Sequence, residues 1–349
     1  MTTFVRPAVA AMSPYVPGEQ PQGAGYVKLN TNENPYPPSP RVLDAIHAAV
    51  GSDLRLYPDP VAGALRHRAA AVYGVDADAI LVGNGSDELL SLLVRAIVAK
   101  GARVAYPVPT YSLYDTLVGI EEGVVVNEPY PADFSLPMGL AALDARLTFI
   151  CNPNSPSGVA VSLDEIRSLA AAAKGVVVVD EAYVDFAASS ALSLVREFEN
   201  VVVLRTFSKS FSLAGIRVGL AIGPKPLIED IGRIKDSYNV DRLSLVAAEA
   251  ALDDYDWMRV NVEKIKRTRG VLTAALRERG FAVLDSSANF VLARRPGLDQ
   301  GETYRQLKAR RVLVRHFATP SLADALRITV GTDEEVLALL DALDEIELK

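Results

Sequence analysis

Short apolar runs alternate with amphipathic stretches through the middle of the chain. Residues 80–82 read as a strand. Residues 87–100 read as a helix with Leu89, Leu90, Leu93 and Ile97 on one side, closed by Gly101, and 103–106 as the next strand. Further strands are expected at 124–126, 147–151 and 218–222. The runs 176–179 and 201–204 are continuous valine and leucine, as in strands covered on both faces. Ser162 opens a helix, and Glu165 three residues on completes a capping box. Strand and helix thus alternate over about residues 80–222, the pattern of an open, mostly parallel α/β sheet with helices on both faces.

On either side of that block the pattern changes. Helical periods fit 41–50 and 62–73, the second ended by Gly74, and 244–252 and 257–279 follow the block. The last third has short strands at 288–293 and 326–329 and a helix from Asp333, which reads as a smaller α+β domain. Residues 1–28, rich in Pro, Gly and Ala, have no period and read as an arm, expected to pack on the smaller domain or a partner subunit. Residues 29–40 are loop chemistry throughout. The expected organisation is therefore an arm (1–28), a large domain (29–240) and a smaller C-terminal domain (241–349).

Composition narrows the chemistry. Half of the 349 residues are hydrophobic, and the net charge of −7 disfavours a nucleic-acid partner. The densest basic run, Lys264, Lys266, Arg267 and Arg269, reads as a solvated helix face. The single cysteine, Cys151, cannot form an internal disulfide. No apolar stretch reaches membrane-spanning length, and Pro7 and Pro14 interrupt any signal-peptide pattern. A cytoplasmic protein is expected. The three histidines, His47, His67 and His316, lack ligand spacing, so no metal is expected.

In such a sheet, ligands sit beyond the carboxyl ends of the strands. Three of those ends are unusual here. The run 176–179 is followed by Asp180-Glu181-Ala182-Tyr183. The run 201–204 is followed by Arg205-Thr206-Phe207-Ser208-Lys209-Ser210, with Arg217 eight residues beyond the lysine. The strand 80–82 leads into Gly83-Asn84-Gly85-Ser86-Asp87 and a helix. Taken singly, a helix cap, a loop lysine and a tight turn account for them. Together they offer an acid, an amine and a phosphate cradle at neighbouring strand ends, the set that pyridoxal phosphate (PLP) requires.

Several motifs then carry a family resemblance. Asn152-Pro153-Asn154-Ser155-Pro156-Ser157-Gly158, Asp180-Glu181-Ala182-Tyr183 and Ser208-Lys209 with Leu213-Ala214-Gly215-Ile216-Arg217 resemble the fold-type-I PLP aminotransferases. Leu29 to Pro35, Tyr57-Pro58, the 326–331 run and Ser13-Pro14-Tyr15 resemble the histidinol-phosphate aminotransferase branch. The resemblance runs nearly end to end. It implies that Lys209 carries PLP and moves the proton between substrate Cα and cofactor C4′. Asp180 would pair with the protonated ring nitrogen, Tyr183 would bond the ring oxygen, and Tyr111 would stack on the ring. Gly85, Ser86, Thr206, Ser208 and Arg217 would hold the phosphate. Tyr57 would reach the cofactor phosphate of a partner subunit, which requires a homodimer. Arg327 would take an acidic substrate group, such as the glutamate α-carboxylate, since its planar fork suits a carboxylate. Tyr15 and Arg315 would line the substrate side.

One position departs from the family pattern. The asparagine that members often place before the Pro-Thr-Gly run is Ser155 here, and Asn154 is the favoured substitute contact to the ring, ahead of Asn152. The implied reaction is amino transfer from histidinol phosphate to 2-oxoglutarate, giving imidazole-acetol phosphate and glutamate in histidine biosynthesis. An aromatic amino acid aminotransferase, or a PLP decarboxylase of a phosphorylated amino acid, is the alternative that the same motifs allow.

Overall fold

A computed structural model describes residues 4–12, 18–21, 23–137 and 139–346. Its strands are β1 (Val27–Lys28), β2 (Ile80–Gly83), β3 (Arg103–Val108), β4 (Val124–Pro129), β5 (Leu147–Cys151), β6 (Val176–Asp180), β7 (Val201–Thr206), β8 (Gly219–Ile222), β9 (Ala282–Val283), β10 (Phe290–Arg294), β11 (Val312–Leu313), β12 (Arg315–His316) and β13 (Ala325–Thr329). The main sheet has seven strands in the order β2-β8-β7-β6-β5-β3-β4. β8 is antiparallel to both its neighbours, and every other pairing is parallel. The carboxyl ends of β2, β3, β5, β6 and β7 therefore lie along one edge, where β8 begins. The α/β architecture read from the sequence is the one found.

Strand alternation sorts the apolar runs onto two faces. Val177, Val179, Val201 and Val203 join the core on one side of the sheet. Val178, Val202, Leu204 and Phe149 join the core on the other, with Leu89, Leu90 and Leu93 from the helix Gly85–Ile97. Each such fully buried side chain is worth about 1.5–3 kcal/mol. This two-sided cover makes 176–179 and 201–204 unbroken hydrophobic runs. Ser162 does cap the helix Leu163–Ala172 through a complete box with Glu165.

A four-stranded antiparallel sheet, β12-β13-β10-β9, lies among the later residues, against the helix Tyr255–Glu278, and the helix Asp333–Asp344 packs on that helix and on β1 and β11. Three features differ from the periodicity reading. The arm holds a one-turn helix, Pro7–Ala10, and ends in β1, which pairs in parallel with β11. The helix Leu113–Ile120 was not expected because it is only two turns long and Thr116, Val118 and Gly119 are weak helix formers. The helices Lys225–Gly232 and Gly301–Ala309 were also missed. No helix among the described residues is long and apolar enough to cross a membrane.

Candidate active site

The edge of the main sheet opens into a cavity of about 1200 Å³. Its floor follows from strand chemistry. Asp180 is the last residue of β6, in register with Cys151 on β5 and Leu204 on β7. Alternation turns its carboxylate to the same side as Val178. There Oδ2 accepts a hydrogen bond from the Tyr114 hydroxyl (2.8 Å) and Oδ1 accepts one from the Ala182 amide (3.2 Å). Asp180 is buried, and burial pushes its pKa up to about 6 against the pull of those two donors.

Lys209 enters from the loop after β7, half-buried. Its Nζ donates to the Thr31 carbonyl (3.3 Å) and lies 5.7 Å from the centre of the Tyr183 ring. Burial, reinforced by the Arg327 charge, lowers its pKa to about 8, with Glu33 and Asp87 opposing. Tyr183 is buried, edge-on to Phe290 at 5.0 Å, and its hydroxyl accepts from Asn32 Nδ2 (3.0 Å). Burial carries its pKa to about 12.

The phosphate end is built from close backbone approaches. At Gly219, the first residue of β8, a Cβ would lie 2.6 Å from the Ser86 amide nitrogen. At Gly85, whose φ is +77°, a Cβ would lie 2.4 Å from Arg217 Nη2. Glycine is thus required at both places for the helix start at Gly85–Ser86 to sit against the guanidinium. Arg217 itself has φ +58°, unusual for a side chain of its size. Its Nη1 donates to Ser208 Oγ (3.1 Å), and its Nη2 pairs with Asp87 Oδ2 (3.2 Å). Thr206 Oγ1 accepts from the Ser208 amide (3.1 Å). Free N–H groups at a helix start, two hydroxyls and an arginine are the donors a phosphate takes.

Across the cavity stands the small sheet. Arg315 on β12 and Arg327 on β13 are direct cross-strand neighbours, and both line the cavity. Arg327 donates to Ser155 Oγ (3.1 Å) and to the Asn30 carbonyl (3.0 Å). Phe317 lies under both guanidinium groups, 5.5 Å from Arg315 Cζ and 5.6 Å from Arg327 Cζ. Tyr111 lines the same cavity, with its hydroxyl 3.2 Å from Asp87 Oδ1.

The cavity therefore brings together Lys209, Asp180, Tyr183, Tyr111, Ser86, Thr206, Ser208, Arg217, Arg315 and Arg327, with Gly85 beside Arg217. Two expected residues stand apart, and a third, Tyr15, lies outside the described residues. Tyr57 is 77% exposed and stacks on Tyr238 at 4.3 Å, away from the cavity. Asn154 is a correction: it is buried, and its side-chain amide is engaged by Thr110 (2.8 Å), the Pro109 carbonyl (3.2 Å) and Ser157 (3.0 Å). It props the loop rather than facing the cavity, which Ser155 lines instead. Asn152 likewise braces Val161.

Sequence reasoning missed Tyr114, Asp87, Thr31 and Asn32 as parts of the site. Asn32 sits within the Leu29–Pro35 motif, so its signal was on the chain. The amphipathic spacing of Tyr111 and Tyr114 was the only other clue.

The residues fit PLP. An amine of lowered basicity, a buried carboxylate with no ion-pair partner among the described residues, and a phosphate cradle converge on one cavity. This fold and donor set are those of a fold-type-I PLP-dependent enzyme. The chain belongs to the class I and II aminotransferases, whose family model matches residues 24–343. It is 47% identical to histidinol-phosphate aminotransferase 1 of Trichormus variabilis (strain ATCC 29413 / PCC 7937), over 99% of each chain. It is 48% identical to histidinol-phosphate aminotransferase of Geobacter sp. (strain M21), over 98% of each. Its structure resembles that of histidinol-phosphate aminotransferase from Sinorhizobium meliloti in complex with pyridoxal-5'-phosphate, with a TM-score of 0.90 and 28% identity. That match covers 99% of this chain and 98% of the other.

Proposed function

We propose that the protein is a PLP-dependent aminotransferase that converts histidinol phosphate and 2-oxoglutarate into imidazole-acetol phosphate and glutamate, in histidine biosynthesis. The observation that carries this reading is the single cavity shared by Lys209, Asp180, Arg217 and the paired Arg315 and Arg327. Near-complete alignment with histidinol-phosphate aminotransferases supports the choice of substrate.

When bound, PLP supplies an electron sink for the pair left at the substrate Cα. The chain's residues do the rest. Lys209, with its pKa near 8, is poised to give up and take back a proton near neutral pH, between substrate Cα and cofactor C4′. Asp180 holds the proton on the ring nitrogen, and Tyr183 bonds the ring oxygen. Gly85, Ser86, Thr206, Ser208 and Arg217 hold the phosphate, and Tyr111 covers the ring face. Arg327, flanked by Arg315, takes the anionic end of the substrate. Two guanidinium groups facing each other across adjacent strands repel, and an anion between them relieves that repulsion. One pair can thus serve both a phosphate and a carboxylate donor. Asn154 braces the loop and is not assigned to the ring.

We assign the working form as a cytoplasmic homodimer in which Tyr57 reaches the partner's cofactor phosphate. Exposed Val50, Leu54, Leu56, Tyr57, Val61 and Tyr238 support it, as an apolar stretch that asks for cover. Residues 29–240 act as the cofactor-binding domain, and 241–349 supply Arg315 and Arg327.

The test is an assay of glutamate formed from histidinol phosphate and 2-oxoglutarate, with borohydride reduction and peptide mapping alongside. Steady turnover and a pyridoxyl label on Lys209 are expected. Turnover confined to phenylalanine or tyrosine would move the substrate to the aromatic amino acids. Release of carbon dioxide without an oxo product would mean decarboxylation. A label elsewhere would overturn the assignment of Lys209.

A further inference from the structure

Tyr114 is fully buried on the helix Leu113–Ile120, and its hydroxyl donates to Asp180 Oδ2 at 2.8 Å. Its ring is clamped, stacked on Phe149 at 4.5 Å and 10° and edge-on to Tyr111 at 5.6 Å and 81°. An aromatic column thus runs from the cavity wall at Tyr111 to the carboxylate at the end of β6. A buried phenol held this rigidly keeps its hydrogen bond short at little entropic loss.

We propose that Tyr114 is a positioning residue for the reaction: its hydroxyl fixes the Asp180 carboxylate in place and keeps it ionised, so that the proton stays on the cofactor's ring nitrogen. This rests on the assignment of Asp180 to that nitrogen. The groups that face Asp180 show why a donor is needed. Cys151 on β5 and Tyr183 beyond β6 are neutral near pH 7, and burial raises both of their pKa values. Asp87 contributes a like charge, and Lys209 an opposing one. Without the phenol, burial and Asp87 would drive the carboxyl towards its protonated form. The proton shared with the ring would then pass across to Asp180, leaving ring nitrogen and carboxyl both neutral. A neutral ring is a poorer electron sink, so proton removal at the substrate Cα would slow while substrate binding would not.

The experiment loads the full-length protein with PLP carrying ¹⁵N in the ring and reads the nitrogen shift between pH 6 and 8. Wild type, Tyr114→Phe and Asp180→Asn are compared, together with wild type carrying fluorotyrosine at position 114. The fluorotyrosines keep both volume and hydroxyl, so they report even if Tyr114→Phe does not fold. Expected are a protonated-ring shift in wild type, a move towards neutral pyridine in Tyr114→Phe, and a graded change that follows the acidity of the fluorophenol. Alongside, kcat should fall about ten- to hundredfold in Tyr114→Phe, the weight of one hydrogen bond to a charged group, with KM for the amino donor within about twofold. If Asp180→Asn moves the nitrogen signal and neither Tyr114→Phe nor the fluorotyrosines do, the role of Tyr114 is refuted and that of Asp180 stands. If Asp180→Asn leaves the signal in place, the assignment of Asp180 fails and this inference with it.

Discussion

Asp180 and Glu181 are consecutive at the end of β6, and Arg205 and Lys209 are four residues apart at the end of β7, yet the two pairs of charges live differently. Glu181 and Arg205 are buried and closed on each other. Arg205 Nε lies 3.4 Å from Glu181 Oε2, its Nη1 lies 2.9 Å from Asp185, and its guanidinium sits 4.9 Å from the Tyr73 ring centre. The remaining acceptors of Glu181 are taken by Ser190 and the Ala191 amide, and Ser210 donates to Asp185. Asp180 and Lys209 have neutral hydrogen-bond donors and acceptors around them but no ion-pair partner among the described residues. The difference is between a charge cluster that folding completes by itself and a charge pair left for a ligand to complete. One carries its counter-charges in the chain, and in the other burial pushes both the carboxyl and the amine towards their neutral forms.

The sharpest way to break this comparison is Arg205→Ala. It leaves Glu181 and Asp185 buried without a cation, so urea unfolding of the apoprotein should show a loss of about 3–5 kcal/mol. Replacing Arg205, Glu181 and Asp185 together with apolar residues of like volume should restore much of it. Equal stability of wild type and Arg205→Ala would show that the cluster is not what closes this end of the sheet.

Asp180→Asn should act in the opposite sense on stability. The folded-state pKa of Asp180, about 6, lies above the ordinary 3.8. The native state therefore binds its proton more tightly. That stability is present in full below pH about 4 and is lost as pH rises through 6. Asparagine escapes the loss. The variant apoprotein should gain on wild type between pH 4 and 6, by at most about 3 kcal/mol, while amino transfer collapses. A stability difference that does not change with pH would rule this out.

The smallest expected effect concerns Lys209. Neutral amine is the form that captures an aldehyde, so the rate of PLP uptake by apoprotein should rise with pH through a midpoint near 8. Arg327→Gln removes the charge that depresses it most and should move that midpoint up by up to about one unit. A midpoint unchanged in Arg327→Gln would place the depression in burial and the Arg217 charge.

How much of this was legible beforehand depended on whether a residue's role follows from its neighbours along the chain. Asp180, Lys209 and the Gly85–Ser86 turn were legible, because each lies within five residues of the end of an apolar run that must face the ligand edge. Arg217 was legible from the family motif. Tyr114 and Asp87 were not, since their contacts with Asp180 and Arg217 join elements 66 and 130 residues apart. The direction of β8 was also hidden, because an apolar strand carries no mark of parallel or antiparallel pairing. Asn154 was misassigned because adjacent residues of a loop can point opposite ways, and no period says which one faces the cavity.

The stitching of residues 27–34 has a consequence for how the protein is made. β1 pairs with β11, Asn30 accepts from Arg327, Asn32 bonds Thr329 and Asn289, and Thr31 receives the Lys209 amine. These partners stand up to 297 positions further along the chain. Contacts of such separation form late, because the intervening loop must close before they repay its entropy, so the surroundings of the lysine amine should settle after the seven-stranded sheet has paired.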